Sequence, residues 1–83
     1  MAVAGDTHSV EEQLAQLIAR WSQQQLAQGR HEGALHQELL ALIEKPLFAA
    51  VLEHHHGQFA KAARTLGIHR TTLRKKMERY GLK

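Results

Sequence analysis

The sequence predicts an all-α fold of four helices, two long ones followed by a compact helix-turn-helix, and three observations carry the prediction. Residues Gly57 to Tyr80, GQFAKAARTLGIHRTTLRKKMERY, contain two short helical segments that meet at Leu66-Gly67-Ile68. Gly67 there can take the positive φ that ends one helix and opens a tight turn. After the turn, Leu73, Met77 and Tyr80 recur at i, i+4 and i+7, the spacing of one buried helical face. Upstream, Leu14, Leu17, Ile18 and Trp21 follow Ser9 and Glu12 at helical spacing.

In chain order, Met1 to His8 (MAVAGDTH) has small residues and no periodicity, and is expected to be a disordered lead or linker remnant. The first helix is expected from Ser9 to about Gln28. Ser9-x-x-Glu12 is a capping box, in which the serine hydroxyl and the glutamate carboxylate each satisfy a free backbone N–H, and Gly29 is a natural stop. A second helix from about Ala34 to His55 carries Leu35, Leu39, Leu40, Leu42, Ile43, Leu47, Phe48, Val51 and Leu52, which cover more than one face.

A single partner helix cannot bury that much apolar surface. The expected arrangement is a homodimer whose first two helices pair with their symmetry mates in a four-helix core, with Leu14, Leu17, Ile18, Trp21, Leu39, Leu40, Ile43 and Leu47 at the interface. The alternative is a monomeric bundle in which the helix-turn-helix covers the surplus. Pro46 lies within the second helix, where it removes the donor to the Leu42 carbonyl. The helix either kinks there or ends and restarts with Pro46 at its first position; the kink is the favoured reading.

In the helix-turn-helix, the small Ala62 and Ala63 let the two helix axes approach closely. At about 100° per residue, with Leu73 inward, Thr71, Thr72, Lys75 and Arg79 fall on the outer face, and Arg70 and Lys76 on its flanks. Such a helix suits the major groove of duplex DNA: arginine grips guanine bidentately, threonine meets a base edge or a thymine methyl, and lysine neutralises phosphate. The bland alternative is a solvated basic helix capping a small bundle. Lys61, on the preceding helix, joins the expected contacts.

Composition bounds the rest. Eighty-three residues give one domain at most, expected to divide into the lead at 1–8, dimerisation helices at 9–56 and the DNA-binding unit at 57–83. Without cysteine there is neither a disulfide nor a thiolate metal site. No apolar run has the length of a membrane span and residues 1–8 do not form a signal peptide, so a cytoplasmic, nucleoid-associated location is expected. The net charge of +3 is lopsided: residues 1–56 carry three Lys/Arg against seven Asp/Glu, and residues 57–83 carry eight against one. The basic end seeks polyanions, and the acidic, apolar front is free to associate with protein.

His54, His55 and His56 invite a metal reading, but consecutive helical residues diverge by about 100°, so the three cannot close on one ion. They read as a polar helix end. No phosphate loop, HExxH or nucleophilic cysteine is present, and the acids are scattered singly. No enzyme activity, cofactor, metal, membrane or small-molecule substrate is expected; the expected partners are double-stranded DNA and a second copy of the chain.

The block GQFAKAARTLGIHRTTLRKKMERYGL closely resembles the C-terminal helix-turn-helix shared by the factor for inversion stimulation (Fis) and by nitrogen-regulation-type, sigma-54-dependent bacterial activators. The signature is the alanine pair, LGI, an arginine two residues on, TLRKK and the final YGL. The resemblance implies that Arg70, Thr72 and Lys75 touch DNA, with His69 at the start of the recognition helix and Lys76 beside the DNA backbone. It also supports a proline within a continuous second helix. His69 stands where the family commonly has asparagine, and Phe59-Ala60 replaces a more polar pair.

The first helix, EEQLAQLIARWSQQQLAQG, resembles the dimerisation segment of those activators better than the β-hairpin arm of Fis. The resemblance therefore implies a sequence-specific DNA-binding and dimerisation module of a transcriptional activator, reading inverted half-sites in the major groove. A free-standing Fis-like nucleoid protein that bends DNA is the alternative, and a module that binds an acidic protein partner is the second.

Overall fold

The structure, a computed structural model, describes residues 9–29 and 32–82; the lead expected at 1–8 lies outside the described residues. Among the described residues there are four helices and no strand: α1 (Val10–Ala27), α2 (Leu35–His54), α3 (Phe59–Leu66) and α4 (Arg70–Arg79). Each end of α1 and α2 lies within one or two residues of its sequence expectation. The chain divides into two compact units, one up to Leu35 and one from His36 onward.

In the first unit, α1 begins on the expected capping box. The Glu12 N–H donates to Ser9 Oγ at 3.1 Å, and the Ser9 N–H donates to Glu12 Oε1 at 3.0 Å. Two of the orphan donors of the first turn are thereby satisfied. The helix buries none of its residues, and leaves Leu14 and Leu17 50% and 55% exposed.

In the second unit, α2 runs unbroken through Pro46. Its C-terminal half supplies one wall of the core: Phe48 is buried together with Ala62 and Ala63 of α3 and Leu73 and Met77 of α4. Val51, Leu52, Phe59, Leu66, Ile68, Tyr80 and Leu82 pack around these five. The apolar surplus of α2 is thus divided. The helix-turn-helix covers Phe48 and part of Val51 and Leu52, whereas Leu42 and Leu47 stay exposed.

The turn between α3 and α4 has the geometry its glycine predicts. Gly67 sits at φ 78°, and the N–H groups of Gly67 and Ile68 both donate to the Ala63 carbonyl, at 2.8 and 3.1 Å. This crossed pattern ends the helix and points Ile68 back at the core. Gly81 repeats the device at the end of α4, where the Leu82 N–H donates to the Met77 carbonyl at 2.8 Å and Leu82 folds onto the same cluster.

A Cβ built on Gly67 would meet nothing within 4 Å, so only the left-handed backbone disfavours a side chain there. Gly67→Ala is therefore expected to destabilise by about 1 to 2 kcal/mol, read as a lowered urea midpoint at unchanged slope. An unshifted midpoint would show that the turn tolerates an L-residue without strain.

Candidate nucleic-acid interface

The buried face of α4 determines the face it presents to solvent. With Leu73 1% and Met77 2% exposed, the helix cannot rotate about its axis without opening the core, and Arg70, Thr71, Thr72, Arg74, Lys75 and Arg79 are left on the solvent side. Lys61 and Arg64 of α3 are exposed as well. These two helices gather six cations and two hydroxyls on the surface of one small unit.

His69 lies at the N-cap of α4 with extended backbone, and its Nδ1 accepts from the Thr71 N–H at 3.1 Å. The imidazole does here what an asparagine amide oxygen does at a helix start, satisfying a free donor of the first turn. Arg70 and Thr71 are thereby held in helical geometry from the first residue of α4.

Lys76 was expected beside the DNA backbone. In the structure its ammonium donates to both carboxylate oxygens of Glu44 on α2, at 3.1 Å each, and its side chain is 26% exposed. The same carboxylate accepts from the Tyr80 hydroxyl. Tyr80 also meets the Phe48 ring at 6.3 Å between centroids, and Lys45 Nζ lies 6.0 Å from the centre of the Tyr80 ring.

Two side chains make contacts in the same unit that the spacing of the sequence does not announce. The Arg74 guanidinium lies 4.8 Å from the centroid of Phe59, at the first position of α3. A cation stacked on an aromatic face gains about 0.5 to 1 kcal/mol at an exposed site and loses much of its rotamer freedom. Phe59 thus acts as a rest for Arg74. The signal was present in the aromatic residue that replaces a polar one at position 59, but the pairing spans the turn and follows no helical spacing.

The second is His55, whose Nε2 is 2.7 Å from Thr65 Oγ1, joining the end of α2 to α3. Loss of hydration, and after it the neighbouring charges of His54, Lys61 and His56, hold the imidazole below its ordinary value of 6.5. The ring is therefore neutral near pH 7, free to donate or accept in that bond. Among the described residues no group of three or more His, Cys, Asp or Glu could hold a metal ion, and no helix is long and apolar enough to cross a membrane.

Comparison with known proteins adds relatives to this geometry. The sequence model of the bacterial regulatory proteins of the Fis family matches residues 39–80, from the second turn of α2 to the residue that caps the end of α4. A Fis-like DNA-binding protein of Xylella fastidiosa is 40% identical over 73 residues, which cover 88% of this chain and 79% of that protein. The DNA-binding protein Fis of Aliivibrio fischeri is 41% identical over 54 residues, 65% of this chain and 55% of that protein. Fis of Buchnera aphidicola is 44% identical over 48 residues, 58% of this chain and 48% of that protein. The chain spans about half the length of these Fis proteins and more of the Xylella relative.

Proposed function

Because the chain belongs to the Fis family of bacterial regulatory proteins, we propose that it binds double-stranded DNA as a homodimer, with α4 of each copy in the major groove of one half-site. The observation that carries this reading is the outward face of α4, where Arg70, Thr72 and Lys75 stand exposed over a core that permits no other rotation. Thr71, Arg79, His69 and Lys61 flank them. Two copies associate through apolar side chains of each unit: Leu14, Leu17, Ile18 and Trp21 of the first, and Leu39, Leu40, Ile43 and Leu47 of the second.

The relatives' names favour a Fis-like DNA-binding protein over the C-terminal module of a sigma-54-dependent activator, and we adopt the former. Selection of bound sites from random duplex DNA separates the two. Many loosely matched, readily bent sites support the Fis-like reading, and one narrow inverted operator supports the activator module.

Affinity should fall steeply with salt, because each neutralised phosphate adds about 0.9 to the slope of log K against log[salt]. Sedimentation should show a wild-type dimer, and Leu39→Glu, which places a charge in the proposed dimer core, should convert it into monomer and weaken DNA binding in parallel. A near-zero salt slope would exclude DNA and leave an acidic protein as the partner; a wild-type monomer that still binds tightly would exclude the dimer.

A further inference from the structure

The Glu44 carboxylate accepts from Lys76 in the last turn of α4 and from Tyr80, the residue that caps that helix, one turn apart. It is mostly buried, with a side chain 16% exposed, and it stands two residues before Pro46. Four residues on, Phe48 supports the Tyr80 ring from below. Glu44, Lys45 and Phe48 of α2 thus hold the last turn of α4 through an ion pair, a hydroxyl, a cation on a ring and a ring contact.

We infer that Glu44 is a positioning residue: it locks the recognition helix to α2, a helix proposed to pair with its symmetry mate in the dimer, and so sets the separation at which two half-sites are read. The inference rests on the dimeric DNA-binding reading. Two recognition helices reach two half-sites together only when their separation matches that of the grooves in the bent site, so the separation also sets how far the DNA must bend. A helix that can tilt on its support tolerates several spacings, whereas a helix pinned at its far end favours one.

A second consequence follows for Lys76. Its charge is compensated within the protein, so it adds little to phosphate neutralisation, although the sequence places it among the cations of α4. An ion pair that is largely withdrawn from solvent keeps its partners, because separating them leaves a charge poorly hydrated.

Tyr80 is the one tyrosine of the chain, which makes the contact directly readable. Its hydroxyl is raised above the ordinary 10.0, first by the hydrogen bond to Glu44, then by loss of hydration and by the Glu44 charge, with Arg79 opposing. Lys76 and Lys45 are the other charged groups facing this pair. A tyrosinate cannot donate, so the stabilisation from this bond is present below pH 10.0 and is lost as pH rises through the higher folded value.

The test uses the full chain, with Glu44→Ala and Lys76→Met, in three measurements. Ultraviolet titration of Tyr80 should show a midpoint above 10.0 in the wild type and a fall towards 10.0 in Glu44→Ala; an ordinary midpoint in the wild type would overturn the contact. A panel of duplexes carrying the selected half-site, inverted at spacings changed in single base pairs, should show one preferred spacing for the wild type. Glu44→Ala should lose about tenfold at that spacing and bind neighbouring spacings nearly equally, with affinity for an isolated half-site unchanged, since the reading side chains are intact.

In the third measurement, Lys76→Met should keep the wild-type salt slope while Lys61→Ala lowers it. Retention of the wild-type spacing profile by Glu44→Ala, or a slope lowered by Lys76→Met as much as by Lys61→Ala, would overturn the positioning role while leaving DNA binding in place. Failure of the wild type to bind any duplex would instead overturn the DNA reading on which the role depends.

Discussion

Leu73→Ala is expected to unfold the second unit near room temperature. Leu73 is 1% exposed and is the largest fully buried side chain, flanked in the core by Phe48, Ala62, Ala63 and Met77. Truncating a buried leucine to alanine costs about 2 to 5 kcal/mol, the loss of transfer free energy plus the cavity left behind. Domains of this size have only about 5 kcal/mol in total, and a core with five buried residues among those described has little with which to refill the gap. The measurement is the helical circular dichroism signal against temperature at fixed chain concentration, because association stabilises by mass action. Leu42→Ala, at a site 54% exposed, is the control and should shift the transition by far less. A Leu73→Ala transition as cooperative as the wild type's, and less than about 1 kcal/mol weaker, would show that the core lies elsewhere.

Arg70→Ala should produce the largest loss of sequence preference without loss of fold. Arg70 is the first residue of α4, exposed and held in helical geometry by the His69 cap. Its planar fork can pair with guanine O6 and N7, a contact worth about 1 to 3 kcal/mol of discrimination per half-site. Lys61→Ala, on α3, removes a charge whose chemistry suits phosphate and should weaken binding to every sequence alike. Competition between the selected duplex and a scrambled one separates these effects. Equal losses on both duplexes for Arg70→Ala would transfer base reading to Thr71, Thr72 or Lys75, or to the bendability of the site.

The local features of this fold were legible before any coordinates. Ser9 and Glu12 announced the start of α1, the Leu73, Met77 and Tyr80 spacing announced the inner side of α4, and Gly67 announced the turn, because each is a rule about residues within about two helical turns of one another. The outward position of Thr71, Thr72, Lys75 and Arg79 followed from the same periodicity, whereas Arg70, which the wheel puts on a flank, is exposed as well. Lys76 shows where the method stops. On a helical wheel it lies on the flank of a basic face, with nothing to distinguish a cation aimed at DNA from one already held by a carboxylate.

The sequence by itself therefore determined the helices, the turn, the family signature and the face that α4 turns to solvent, since all of these depend on local backbone preference and on the 3.6-residue period. Only the tertiary structure decided that Glu44 takes Lys76 and Tyr80, that Phe59 carries Arg74 and that His55 meets Thr65. The first of these joins residues 32 and 36 positions apart, the last residues ten apart. Such pairs obey no period, because they depend on where two packed helices bring their flanks together, and that is set by the volumes of Phe48, Ala62, Ala63, Leu73 and Met77 between them.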